Sequence, residues 1–161
     1  MPELERLRLD HGPAVLAFER ENREFFASLV PDRGDDYFQE FDVRHKALLA
    51  EQAEGICQFH VLVENGEVLG RFNLMDLVDG AAHLGYRLAE RATGKGLATG
   101  TVRSLCELAV RDYGLHTLRA ATTEVNTASQ AVLTRVGFTR TGRTTLDGLP
   151  GLTYTLDLTT V

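Results

Sequence analysis

The sequence predicts an α/β domain built on a mixed sheet with helices on both faces. Three observations lead there. Apolar residues recur at helical spacing up to about Ala53, and strand alternation takes over from Ile56. An Asn65-Gly66 pair separates two such alternating runs, a strong short-range sign of a hairpin. Beyond Gly94-Lys95-Gly96 a long amphipathic helix begins, and strand and helix patterns alternate from there.

In chain order, Leu4 to Leu9 alternates leucine with charge and is expected as a short edge strand. Asp10 precedes a helical stretch with Val15, Phe18, Phe25, Phe26 and Leu29 as its apolar positions. Pro31-Asp32-Arg33-Gly34-Asp35-Asp36 breaks it, and a second helix is expected to about Ala53, carrying Phe38, Phe41, Val43, Leu48 and Leu49. Ile56 to Val63 and Val68 to Met75 form the hairpin. Asp79-Gly80 turns the chain into Ala82–Leu88, where His83 and Arg87 share one face and Leu84, Tyr86 and Leu88 the other. Ala98, Val102, Leu105, Ala109 and Tyr113 lie on one helical face, with Gly114 as the terminator. His116 to Thr122 is a strand and Thr127 to Val136 a helix closed by Gly137. Phe138 to Arg143 and Leu152 to Leu158 complete the sheet around a loop at Gly148–Gly151. No repeat or linker interrupts this order, so residues 1–161 are expected to form one domain.

A chain of 161 residues buries roughly two-thirds of its unfolded surface and needs no staples. Its formal charge of −6, without a Lys/Arg cluster, argues against a nucleic-acid partner. The same charge mildly attracts a cationic amine, although solubility alone explains it. Cys57 and Cys106 fall in apolar strand-like and helical runs and are expected as small buried hydrophobes, with no metal site. The start Met1-Pro2-Glu3-Leu4-Glu5-Arg6 has no apolar signal region, and no run is long enough to span a membrane. A cytoplasmic protein without a membrane partner is expected.

The strand–Gly94-Lys95-Gly96–helix succession is the most informative feature. Glycines at a helix start let backbone N–H groups converge on an anion, and the helix dipole favours its charge. A tight ligand-free turn would use the same residues. Two phosphate loops fail on spacing. A P-loop needs Ser or Thr after its Gly-Lys and a glycine five positions before that Gly, where Gly96 and Ala89 stand. A dinucleotide fingerprint needs Gly or Ala at the place held by Thr99, since Gly100 comes one residue late.

Arg91-Ala92-Thr93-Gly94-Lys95-Gly96 resembles the acetyl-coenzyme A loop of the GNAT superfamily, Gln/Arg-x-x-Gly-x-Gly/Ala, at every specified position. Gly85-Tyr86-Arg87-Leu88, Gly96-Leu97-Ala98-Thr99, Asn126-Thr127-Ala128-Ser129 and Val132–Phe138 are similar to the RimJ/RimL branch. The likeness is sharp over about residues 82–142. It implies a mostly antiparallel central sheet of six to seven strands and an acetyl-CoA-dependent N-acetyltransferase. By the same resemblance, the backbone around Leu88 and Glu90 pairs with the pantetheine arm. The Arg91–Gly96 loop, with Gly94, Lys95, Gly96, Leu97 and Ala98, holds the pyrophosphate, and Thr99 adds a hydroxyl. Asn126 and Ser129 are placed near the thioester, where the strand before them splays from its neighbour. Asn126 also reads as a plain N-cap, with Thr127-x-x-Gln130 as a capping box.

Acetylating an amine requires a base, because an aliphatic amine with a pKa near ~10 is protonated at neutral pH. His83, on the face shared with Gly85 and Arg87, is a candidate base, and an exposed edge histidine is the plain alternative. Many RimJ/RimL-type sequences carry glutamate there. Asp76 and Glu124 are further candidates. The tyrosine that serves related families as acid is replaced by Leu133, which makes Ser129 the candidate acid. The family usually recruits a backbone N–H of the Gly85–Leu88 strand as oxyanion donor. Residues 11–54 and the Asp147–Gly151 loop are expected to wall the acceptor cleft, with their phenylalanines mainly in the core. The RimJ/RimL likeness implies a protein N-terminal α-amine as acceptor. A small-molecule amine (aminoglycoside, polyamine or amino acid) and a non-catalytic acyl-CoA-binding role are the alternatives. Relatives of this kind are often dimers, so a homodimer is an expectation by analogy.

Overall fold

Two Asx-Gly turns set the centre of the sheet. Asn65 and Gly66 take φ of 54° and 78°, and Asp79 and Gly80 take 51° and 75°, the paired left-handed geometry that matches strand twist. They join β2 (Gln58–Glu64), β3 (Glu67–Val78) and β4 (Ala81–Leu88) into an antiparallel meander. The computed structural model describes residues 1–160. The remaining strands and α-helices are β1 (Glu3–Arg6), α1 (Gly12–Glu21), α2 (Arg23–Ala27), α3 (Asp35–Gln39), α4 (Phe41–Ala53), α5 (Leu97–Arg111), β5 (Thr117–Thr123), α6 (Thr127–Val136), β6 (Thr139–Leu146) and β7 (Leu149–Asp157).

The seven strands run β1-β2-β3-β4-β5-β7-β6, antiparallel everywhere except between β4 and β5. This is the mixed, mostly antiparallel sheet that the sequence implied. One face carries α1, whose Glu19 reaches Arg71 of β3 and Arg87 of β4. Facing inward on the opposite side are Phe72 and Tyr86, with rings stacked at 5.3 Å, and Val102, Leu105 and Ala109 of α5 are fully buried. Burying side chains such as Phe72 or Leu105 contributes about 1.5–3 kcal/mol each. None of the described helices is long and apolar enough to cross a membrane.

Several boundaries differ from those expected of the sequence, among them the first strand, which ends at Arg6 with Leu9 already in a short 3-10 helix, and β3 and β6, which run on to Val78 and Leu146. The first helix breaks at Asn22, where φ is −105° and ψ 11° and the side-chain amide donates to Phe18 O alongside the backbone N–H. The second breaks at Glu40 into α3 and α4. The last hairpin turns at Asp147-Gly148, with φ of 49° and 80°, so Leu149, Pro150 and Gly151 belong to β7 instead of a loop. Pro150 is tolerated because it stands near the strand start.

Candidate active site

The parallel pairing of β4 with β5 covers only Ala81↔Thr117 to Leu84↔Ala120. Beyond it, β4 stays bonded to β3 as far as Leu88↔Gly70, and β5 stays bonded to β7 as far as Thr123↔Gly151. Each strand is held on its outer side, so the sheet opens between Gly85–Leu88 and Ala121–Thr123. A cleft of about 880 Å³ runs through this opening, from Gly94 and the start of α5 past Tyr86, Asn126 and Ser129 to Phe25, Phe26 and Leu29. That size suits a large, mostly apolar ligand with a few polar contacts.

At one end, Gly94 and Gly96 adopt φ of 74° and 77°, which only glycine accepts without strain. Added Cβ atoms there would meet nothing within 4 Å, so the loop borders open space. Gly96 caps α5 without a side-chain acceptor, leaving the first-turn N–H groups of a 15-residue helix directed at the cleft mouth. These amides and the positive end of the helix dipole fit an anionic group such as pyrophosphate.

Leu88, Gly94, Gly96, Leu97, Ala98, Thr99, Asn126 and Ser129 all line the cleft. Four other residues that the sequence singles out do not. The Arg91 guanidinium is drawn away to Glu67 Oε2 at 2.9 Å, and Lys95 is exposed on the outside of the loop. The Glu90 amide donates to Asn22 Oδ1 at 3.0 Å, so its backbone anchors α1 to the end of β4. His83 is solvent-exposed opposite Met75 and Arg119 and stands apart from the cleft. Asp76 and Glu124 also lie off its walls.

Asn126 acts as the N-cap of α6, accepting from the Ser129 amide at 3.1 Å, which fixes the first turn that carries the Ser129 hydroxyl. Thr127 and Gln130 do not form the expected capping box. Gln130 Nε2 instead donates back to Thr123 O and Glu124 O, at 3.2 and 2.9 Å, tying α6 to the end of β5. Leu133 is buried.

Tyr86, on the apolar face of β4 by alternation, turns out to be a cleft residue. It faces Ser129 across the opening, and both residues line the cleft. Burial pushes the phenol's pKa up, and Ser129 offsets that in part. Phe25 and Phe26 are also cleft residues, whereas Phe18 and Phe41 are buried in the core. Behind this wall Glu19 is 1% exposed and shared by Arg33, Arg71 and Arg87. Burial raises its pKa, but the three guanidiniums outweigh burial and hold the carboxyl below its usual range.

A family model described as an acetyltransferase (GNAT) domain matches residues 3–139. The Bacillus subtilis (strain 168) protein named probable N-acetyltransferase YjcK is 29% identical over 134 residues, covering 79% of this chain and 74% of its own. Among solved structures, a ribosomal-protein-S5-alanine acetyltransferase from Vibrio fischeri shares the fold at a TM-score of 0.89 and 19% identity, covering 97% of this chain and 92% of that one. Mycobacterium smegmatis RimJ, solved with a CoA-disulfide, shares it at 0.87 and 23% identity, covering 98% and 82%. With a match running from β1 to the start of β6, this chain belongs to the GNAT family of N-acetyltransferases.

Proposed function

We propose that the protein transfers the acetyl group of acetyl-coenzyme A to a primary amine, and that the acceptor is a protein N-terminal α-amine. The continuity of the cleft carries this reading: the open amides at the start of α5, the parted strands and the aromatic wall of α2 belong to one cavity. In this reading the amides of Gly94 to Ala98 hold the pyrophosphate, with Thr99 beside them, and the unpaired edge of Gly85–Leu88 takes the pantetheine arm. The likeness to ribosomal-protein acetyltransferases supports the choice of acceptor.

The chemistry then divides among this chain's own residues. A backbone N–H on the opened β4 edge polarises the thioester carbonyl. Asp147, the one carboxylate lining the cleft among the described residues, attracts the ammonium group and receives its proton. The neutral amine forms the C–N bond, the C–S bond breaks, and the departing thiolate takes a proton, while the second proton shed by the nitrogen returns to the donor of that step. Ser129, held by Asn126 and backed by Tyr86, is the donor we assign to that last step. Positioning within the cleft supplies the rest of the acceleration.

Calorimetry with acetyl-CoA on the purified protein, with NAD and ATP as controls, tests the first half. Binding of acetyl-CoA alone is expected. Rates of acetyl transfer to short peptides with free N-termini test the second. A protein that binds acetyl-CoA yet acetylates no amine would be an acyl-CoA-binding domain, and the reading would fall.

A further inference from the structure

Arg87 stands where the acceptor wall meets the opened end of β4, and its charge is poorly matched. Its Nη1 donates to Glu19 Oε1 at 3.1 Å, the one protein partner of its N–H groups among the described residues. Its side chain is 22% exposed, lines the cleft and lies 4.7 Å over the Phe26 ring. Glu19 is shared with Arg71 at 2.8 Å and Arg33 at 3.2 Å, so one carboxylate faces three guanidiniums. Arg71 spends a further bond on the Tyr37 hydroxyl, and Arg33 stacks 4.5 Å over that ring. Burial first, then Arg33 beside it, disfavour the charged form of Arg87, and Glu19 alone cannot offset both.

A guanidinium offers a rigid fork of donors suited to a carboxylate. Surplus positive charge in a cleft with low-dielectric walls concentrates anions and repels cations. The adjoining wall, Phe25, Phe26 and Leu29, is apolar, and Asp147 is the one carboxylate lining the cleft among the described residues. Gly85 and Arg87 are two positions apart on the same face of β4, about 7 Å along the strand. An amine attacking near Gly85 therefore places the next residue or two of its chain beside Arg87.

We propose that Arg87 binds a carboxylate of the acceptor, carried by the first or second residue of the peptide whose N-terminal amine is acetylated. This inference rests on the acetyltransferase reading above. It disfavours polyamines and aminoglycosides, whose additional ammonium groups would face the Arg87 guanidinium. The α-carboxylate of a free amino acid presents the same chemistry from a second source, which the experiment separates.

The test measures kcat/KM of the full chain with acetyl-CoA on paired peptides that differ only in an acidic residue or its amide at positions one and two. A preference of about tenfold or more for the acidic peptide is expected, the span of one charge-assisted pair. Arg87→Gln should collapse the acid-to-amide ratio towards one, and Arg87→Lys should leave it between the two. Equal rates for acid and amide in the unaltered protein overturn the proposal without needing any variant. So does a ratio that survives Arg87→Gln, or an Arg87→Gln protein that loses acetyl-CoA affinity, since the guanidinium would then serve the cosubstrate. Free glutamate and glutamine with blocked or unblocked α-carboxylates form the second arm. Turnover there that requires the α-carboxylate, with none on peptides, overturns the peptide source. Absence of transfer to any of these amines overturns both this inference and the acceptor reading beneath it.

Discussion

Arg71 Nη1 lies 2.8 Å from Oε2 of Glu19, joining the middle of β3 to α1 through two side chains that are both almost wholly buried. The same carboxylate meets Arg87 and Arg33, so the acceptor wall is fastened to the sheet through a single acidic group. Removing one partner of a buried ion pair leaves uncompensated charge, which costs about 3–5 kcal/mol. Glu19→Gln is expected to lower unfolding stability by that order in denaturant titrations. Because the folded carboxyl titrates below its ordinary value of 4.5, its contribution is complete above that value and is lost as pH falls through the depressed one. The gap between the two proteins should therefore close in acid.

Asn22 makes the second tether, with Nδ2 donating to Phe18 O at 2.9 Å and Oδ1 accepting from Glu90 N at 3.0 Å. Asn22→Ala leaves the Glu90 amide without its partner, while Phe18 O keeps the backbone N–H of residue 22, so the cost is about 1–3 kcal/mol. Glu90 leads directly into the Gly94 loop. The variant should thus show weaker acetyl-CoA binding by calorimetry as well as a lower melting temperature. A loss of stability with full affinity would mean that the loop holds its shape without this anchor.

Much of the fold is legible in the sequence, because strand alternation, the Asx-Gly turns and the closing glycines are local signals. Gly94, Gly96, Asn126 and Ser129, each conspicuous in the sequence, converge on one cleft. What stays hidden depends on non-local partners. Val15, Phe18, Glu19 and Asn22 fall at i, i+3, i+4 and i+7, so two polar residues stand on an apolar stripe, a sign of buried polar work that periodicity alone does not interpret. His83 and Arg87 share a strand face in the sequence, yet only Arg87 reaches the cleft, because the sheet opens two residues after His83. Nor does alternation find Tyr86. An inward-facing aromatic on a strand looks like core until the neighbouring strand is seen to part from it.

Gly94 offers a clean test of the loop. Valine there would carry a β-branched side chain at φ 74°, a left-handed strain of about 1–2 kcal/mol, but its Cβ meets no protein atom within 4 Å. Gly94→Val should remain folded, with a modest drop in melting temperature. Its acetyl-CoA affinity should fall by about tenfold or more, since one lost amide contact to an anion is worth that much. Undiminished affinity would place the pyrophosphate elsewhere.

His60 supplies a separate pH dependence. It is 2% exposed, with Nδ1 at 3.1 Å from Phe72 O and Nε2 at 2.7 Å from the Tyr113 hydroxyl. A carbonyl can only accept, so Nδ1 donates and Nε2 accepts from the phenol, which requires the neutral ring. Burial pushes its pKa down from 6.5 to about 4 despite the Phe72 carbonyl. Between those values the unfolded chain binds a proton that the folded one refuses, so stability falls with pH through that window and levels off below it. The total is on the order of 3 kcal/mol. Denaturant midpoints of His60→Gln between pH 7 and 4 should be flatter than those of the unaltered protein, whatever the offset at neutral pH.

Tyr86 and Ser129 form the last pair to test, and the logic is non-additivity. Tyr86→Phe deletes one oxygen while its ring keeps the stack on Phe72 at 5.3 Å, so packing is largely preserved. If Ser129 passes a proton to the departing thiolate, Ser129→Ala should lower kcat by about 10²-fold, the low end for general acid catalysis, with little change in acetyl-CoA affinity. In our assignment Tyr86, beside Ser129 in the cleft, acts only through that hydroxyl. Tyr86→Phe should therefore lower kcat less than Ser129→Ala, and the double variant should match Ser129→Ala alone. Multiplicative losses would show that the phenol acts independently, and an unchanged kcat in Ser129→Ala would return the final proton to solvent.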